Sequence, residues 1–268
     1  MKQANLLLSL HEIDKKATAL KRLGASKIIM LPIPSKLNYF QLREPIALPS
    51  SEELSLVNRK FEIAKTGLQG DAAFAKFYAW LRLQLSERGL EPVDLLTPFT
   101  PYAHTNQLLY RLDDTHWSDL GITVAAQTIF HELWPSVRPE IIQEPPHAEP
   151  PVEEGNLQQY LMMPPSSRFA WAYPHYRLSQ PQGVFRPTHI ILLGTSYSVE
   201  QNYKLGKLLA RFPNTTVTDL SIGGRGPVAS YQVLMARYTK RIPGSIIVWE
   251  FPVRNVLSPK TFEEAKAE

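Results

Sequence analysis

Two short segments of this chain hold the residue types needed for acyl chemistry. The first is Asp114-Thr115-His116-Trp117-Ser118-Asp119-Leu120, which sets a carboxylate and an imidazole two positions apart. The second is Leu193-Gly194-Thr195-Ser196-Tyr197-Ser198, where a serine follows a glycine at the end of an apolar, β-branched run. A serine hydroxyl is a weak nucleophile until a base takes its proton. An imidazole can do that, and a carboxylate behind it fixes the ring tautomer and stabilises the imidazolium. Ser196, His116 and Asp114 are therefore the candidate catalytic residues. Their order along the chain is Asp, His, Ser, and such triads are defined by geometry and role rather than by order. Each also has an ordinary alternative: Thr195, Ser196 and Ser198 as helix caps, and His116 packed beside Trp117 with Asp113, Asp114 and Asp119 capping nearby.

A third segment, Gly223-Gly224-Arg225-Gly226-Pro227, follows an apolar stretch. Its glycines permit positive φ and close backbone approach to a ligand. Gly223 and Gly224 are candidates for completing an oxyanion hole, together with Tyr197 next to the serine. Arg225 is a candidate for meeting a polar or charged substrate group. The remaining histidines, His11, His104, His131, His147, His175 and His189, form no metal-ligand spacing with other donors, so no metal is expected. No phosphate-binding glycine loop is present, and no cofactor is expected.

The surrounding elements read as an alternation of helices and strands. Leu6 to Leu23 has helical apolar spacing and ends at Gly24, and Lys27 to Pro34 reads as a buried strand. Helices are predicted over Glu52–Leu68 and Asp71–Arg88, and a strand over Pro92–Leu96. Ser118 is placed to cap a helix running to Trp134, leaving Asp114 and His116 on the loop that feeds it. Strands follow at His189–Leu193, Thr216–Leu220 and Ser245–Phe251, with helices at Val199–Phe212 and Ser230–Arg241. This alternation predicts a mostly parallel α/β sheet. The stretch from about Pro139 to Pro165 is rich in Pro and Glu, and reads as a surface excursion within one domain covering residues 1–268.

The 268 residues are 44% hydrophobic, enough for one large core or two small ones. The net charge of +4 is spread without a dense basic run, so nucleic acid is not an expected partner. With no cysteine, thiolate catalysis and disulfides are excluded. The first ten residues are too short and interrupted in their apolar run for a signal peptide.

Three stretches together, Tyr110 to Ser118, Leu193 to Ser198 and Gly223 to Pro227, resemble the SGNH hydrolase-like domain of the AlgX/AlgJ alginate O-acetylation proteins. Leu31-Pro32-Ile33-Pro34-Ser35-Lys36 and the closing Val248-Trp249-Glu250-Phe251-Pro252-Val253-Arg254 are similar to that family too, and Asp-Thr-His-Trp-Ser is the most diagnostic element. The resemblance implies a three-layer α/β/α, flavodoxin-like SGNH fold with permuted block order. It implies a serine-dependent O-acetyltransferase that carries acetyl on Ser196, with His116 as base and Asp114 behind it. It also implies a polysaccharide acceptor such as alginate, a membrane-bound O-acyltransferase as the partner supplying acetyl groups, and a periplasmic or extracytoplasmic location. The family's usual anchor or signal peptide is not visible, so anchoring is expected through a segment absent from this chain. Polymer recognition is expected from this domain or a partner rather than from a carbohydrate-binding module after Glu268. Trp117, Trp171 and Tyr197 are candidate sugar-stacking surfaces, with ordinary packing as the other reading. Two alternatives to a transferase remain: a carbohydrate acetylesterase, and a non-catalytic polysaccharide-binding or assembly module.

Overall fold

The structure is a computed structural model, and it describes residues 2–34, 36, 70–102, 105, 107–111, 114–144, 174–199, 205–238 and 241–263. The helix expected over Glu52–Leu68, residues 145–165 of the proline-rich stretch, Trp171 and Asp113 lie outside the described residues.

Five parallel strands form the central sheet: β1 (Lys27–Ile33), β2 (Glu91–Pro92), β5 (Thr188–Leu193), β6 (Thr215–Asp219) and β7 (Ile246–Pro252), in spatial order β2-β1-β7-β5-β6. β7 pairs with β1 over seven positions, Lys27 opposite Ile246 through Ile33 opposite Pro252. On its other side it pairs with β5, from Ile190 opposite Ile246 to Leu193 opposite Trp249. A strand buried on both faces must be apolar nearly throughout, which explains the runs Lys27–Ile33 and Ile246–Pro252.

Alternation along each strand divides the core in two. Ile29, Leu31, Ile33, Ile190, Leu192 and Val248 face one layer, packed under helix α4 (Asp119–Leu133) and the short helix α6 (Leu205–Leu209). Ile28, Met30, Ile191, Leu193, Ile247, Trp249 and Phe251 face the other. That layer consists of α1 (Lys2–Leu23), α2 (Gly70–Ser86) and α7 (Pro227–Arg237). The architecture is the expected three-layer α/β/α.

The differences from the sequence reading have local causes. The strand expected over Pro92–Leu96 is only two residues long. Asp94 Oδ1 accepts from the backbone N–H of Leu96 (3.0 Å) and of Thr97 (3.3 Å), and this starts the short helix α3 (Leu96–Phe99) instead. The helix after β5 begins at Ser196 rather than Val199, as α5 (Ser196–Val199). The helix expected from Ser230 begins at Pro227, whose ring presets φ for the first helical position, and ends at Arg237. Within the expected surface excursion, β3 (Ile141–Gln143) pairs antiparallel with β4 (Tyr176–Leu178). The ribbon is tied to the start of α4 by the Tyr176 N–H, which donates to Asp119 Oδ2.

Candidate functional site

The site lies at the carboxyl edge of the sheet, where parallel α/β folds leave room for ligands. The Asp114–His116 loop is pinched at its base by an antiparallel bridge between Tyr110 and Trp117. Two backbone bonds close it, Arg111 N–H to His116 O (3.2 Å) and Ser118 N–H to Leu109 O (2.8 Å). Ser118 caps α4 as expected, accepting from the Gly121 N–H at 3.2 Å, and its hydroxyl donates to Leu108 O. The two passes of chain are so close that a Cβ on Gly121 would lie 2.1 Å from Leu109 O, so glycine is required there. Lys36, just beyond β1, donates to the carbonyl oxygens of Arg111 and Asp114. Tyr110 OH donates to Pro34 O at 2.5 Å. The loop is thereby fastened to the end of β1.

The serine stands on an equally constrained turn. β5 ends at Leu193, and a Cβ on Gly194 would come within 2.6 Å of Ser198 Cβ and 2.3 Å of Ser221 Oγ. α5 then opens with Ser196, and the N–H groups of Ser198 and Val199 both donate to Thr195 O. Trp117 spans the two halves of the site: its indole N–H donates to Tyr197 O at 2.7 Å.

These constraints bring Ser196, His116 and Asp114 together. His116 Nε2 is 2.9 Å from Ser196 Oγ, and His116 Nδ1 is 2.6 Å from Asp114 Oδ1. The His116 backbone N–H donates to the same carboxylate oxygen at 2.9 Å. A carboxylate only accepts, so the ring proton sits on Nδ1 and Nε2 is left to accept from the serine. Asp114 and His116 are 4% and 5% exposed, while Ser196 is half-buried, so the relay is dry at its back and partly open at Ser196.

The other expected contacts divide. A Cβ on Gly223 would stand 3.8 Å from Ser196 Cβ, so this backbone flanks the serine. Gly224 and Arg225 are exposed, and Gly224 and Gly226 adopt φ of 75° and 71°, values that suit glycine. The sugar-stacking reading of Tyr197 and Trp117 does not hold, because both rings are fully buried. Tyr197 instead packs edge-on against His116, with ring centroids 4.8 Å apart, and against Trp117. Its hydroxyl donates to Thr115 O at 2.9 Å and accepts from Arg254 Nη1 at 3.3 Å. Burial raises the Tyr197 phenol above its ordinary range, with Arg254 pulling the other way.

Two residues of the site were quoted in the sequence only as part of the closing Val248–Arg254 segment. Arg254 is exposed, and its guanidinium lies 5.7 Å from the Tyr197 ring centroid. Glu250 is fully buried beneath the serine turn and accepts from Thr195 and Ser198. A charged residue within the apolar run Ile246-Ile247-Val248-Trp249-Glu250-Phe251 was the available signal, since a buried charge requires partners.

The sequence model of a family described as the SGNH hydrolase-like domain of the acetyltransferase AlgX matches residues 57–253, more than half of the chain. This chain belongs to that family. Among relatives of the AlgX-type SGNH domain, a probable alginate O-acetylase AlgJ from Azotobacter vinelandii is 26% identical over 198 residues, covering 67% of this chain and 50% of the relative. Its counterpart from Pseudomonas syringae pv. tomato is 25% identical over 199 residues, with the same shares. The chain thus spans about half the length of the curated relatives it matches. In structure it is similar to the O-acetyltransferase domain of Pseudomonas putida AlgJ, with a TM-score of 0.65, 19% identity, and 96% and 84% of the two chains covered. It is also similar to Pseudomonas aeruginosa AlgX, with a TM-score of 0.62, 18% identity, and coverage of 95% and 59%. At these identities the structural likeness establishes the AlgX-type fold. Among the described residues, no helix is long and apolar enough to cross a membrane.

Proposed function

We propose that this domain is an O-acetyltransferase that carries acetyl on Ser196 and delivers it to hydroxyl groups of an alginate-like exported polysaccharide. The observation that carries the reading is the continuous relay from Asp114 Oδ1 through both His116 nitrogens to Ser196 Oγ, at 2.6 and 2.9 Å. In the first half-reaction His116 Nε2 takes the serine proton while Oγ attacks the carbonyl carbon of an acetyl donor. In α5 the Ser198 and Val199 N–H groups are taken by Thr195 O and that of Tyr197 by Thr195 Oγ1, so the negative charge that develops on the carbonyl oxygen is met by the Ser196 N–H and the Gly223 backbone beside it. The tetrahedral intermediate then collapses, and the leaving group departs with the proton held by His116. In the second half-reaction His116 takes the proton of a sugar hydroxyl, that oxygen attacks the acetyl-Ser196 ester, and the proton returns to Ser196 Oγ.

Arg225 and Arg254 are exposed cations on the rim of the site, suited to the carboxylates of a uronate polymer. The names of the curated relatives support alginate as acceptor. The reading also includes an extracytoplasmic location and a membrane-bound O-acyltransferase that supplies the acetyl groups.

Incubation with p-nitrophenyl acetate, with and without alginate oligosaccharides, tests this. Intact mass should gain one acetyl group, lost in both Ser196→Ala and His116→Ala, and the acetyl should pass to the sugar when it is present. Release of free acetate alone, unaffected by the sugar, would convert the assignment to an esterase. Absence of any adduct would end the acyl-enzyme reading.

A further inference from the structure

Below the serine turn lies a carboxylate that the relay does not use. Glu250 sits one position past Trp249, the residue of β7 that pairs with the last residue of β5, so its side chain reaches the level of Gly194 and Thr195. Alternation sets it on the same face as Val248, under the half of the core that holds Trp117 and Tyr197. It is fully buried. Its Oε2 accepts from the Thr195 N–H at 2.6 Å and from the Ser198 hydroxyl at 2.9 Å, and its Oε1 accepts from the Thr195 hydroxyl at 2.8 Å. Among the described residues it has no ion-pair partner.

An apolar side chain would fill the same space without the penalty of burying a carboxylate, so packing does not account for a glutamate here. What a carboxylate adds is acceptor capacity. All three of its donors belong to Thr195 and Ser198, which bracket Ser196, and among the described residues no hydrogen bond ties Ser196 itself to the sheet. The turn also has little room to move elsewhere: Gly194 is wedged against Ser198 and Ser221.

We propose that Glu250 is a positioning residue for the nucleophile, one that grips Thr195 and Ser198 from the central strand and so holds Ser196 Oγ in line with His116. This rests on the acetyl-Ser196 reading above. Burial pushes the Glu250 carboxyl up to about 7, against the lowering pull of the Thr195 and Ser198 hydrogen bonds and the His116 charge. The grip is therefore strongest where the group is ionised and acts only as an acceptor.

The variants separate reach from charge. Glu250→Asp keeps the charge but withdraws the oxygens. Glu250→Gln keeps the reach, since its carbonyl can take the Thr195 N–H and its amide can turn to the hydroxyls. Thr195→Val and Ser198→Ala each remove a single tether with little change of volume. The measurement is the rate constant for acetylation of Ser196 by p-nitrophenyl acetate, followed by intact mass alongside ester KM and thermal melting. A nucleophile misplaced by about 1 Å costs about 100-fold in rate. Glu250→Asp should therefore lose about that much in acylation with KM within threefold of wild type, and Glu250→Gln should lose less. Thr195→Val should add little in the Glu250→Asp background, because both act on the same tether. A purely structural role would lower the melting temperature and leave the rate constant of the folded fraction unchanged, and that result overturns the proposal. If Glu250→Asp does not fold, Thr195→Val and Ser198→Ala decide the question: wild-type acylation in both overturns it as well. The two readings fail differently. A wild-type adduct with no effect of these variants removes only the positioning role, whereas no adduct on wild type removes the acetyl-Ser196 reading and this inference with it.

Discussion

Replacing Asp114 with asparagine separates two contributions that are usually lost together. In many triads this change turns the histidine into the wrong tautomer and costs about 10⁴-fold. Here the His116 backbone N–H and the ring Nδ1–H both donate to a single oxygen of Asp114, at 2.9 and 2.6 Å. An asparagine carbonyl oxygen in that place has two lone pairs and can accept both bonds, and the fixed backbone donor selects that orientation over the flipped amide. The tautomer should survive, leaving the loss of charge as the main effect. With charge centres about 4 Å apart and an effective dielectric near 20, the carboxylate stabilises the imidazolium of the transition state by about 4 kcal/mol. At about 1.4 kcal/mol per decade, Asp114→Asn should slow acylation by about 10³-fold. Asp114→Ala should do worse, because it also strands two buried donors. Stopped-flow acylation with p-nitrophenyl acetate measures both. Activity within tenfold of wild type would refute the imidazolium argument. A loss as complete as that of Ser196→Ala would refute the claim that one oxygen preserves the tautomer.

Other substitutions probe the scaffold. Gly121→Ala drives a Cβ into the Leu109 carbonyl, a backbone atom that cannot swing aside. It should cost about 3 kcal/mol or more, read as a shift in the denaturant midpoint. Trp117→Phe removes the indole bond to Tyr197 O and strands a buried carbonyl, for a loss of about 1–3 kcal/mol by the same measurement. The raised Glu250 group gives a pH signature. Between its ordinary value of 4.5 and its folded value of about 7, the native state holds a proton that the unfolded chain has released. Stability should therefore fall as pH rises through that window and level off above it, and Glu250→Gln should flatten the slope in melting curves taken from pH 5 to 8. Reversing Arg225 to glutamate should raise the KM for alginate oligosaccharides and leave acylation by p-nitrophenyl acetate unchanged. Equal loss in both reactions would count against a role in binding the acceptor.

Much of this architecture could be read from the sequence because period and punctuation agreed. The runs at Lys27, His189 and Ser245 were apolar enough to mark strands buried on both faces, and Ser118 was positioned to cap α4. The relay could also be read, because its residues cluster in two short segments. The rest depended on partners distant in sequence. Nothing near Pro92 indicated that Asp94 would turn its side chain back and start a helix. Ile141–Gln143 looked like part of a proline-rich excursion because its partner, Tyr176–Leu178, lies across that same stretch. Tyr197 and Trp117 looked like sugar platforms by residue type, and only the packing of the loop against α5 shows both rings enclosed. Glu250 was visible as a charge in an apolar strand, but its donors could be named only once β7 was known to lie beside β5.

The central position of β7 has a consequence for how this protein acquires its structure. β1 and β2 form one wing of the sheet and β5 and β6 the other, and both wings take β7 as their neighbour. During synthesis the two wings therefore have no shared strand until residues 246–252 emerge. Contacts joining β1 to β7 span more than two hundred residues of chain, so closing the sheet is entropically slow and waits for β7. The serine turn gains its anchor at Glu250 in that same event. A nascent chain without β7 lacks the strand that joins the two wings, so acylation of Ser196 should report the moment the sheet closes.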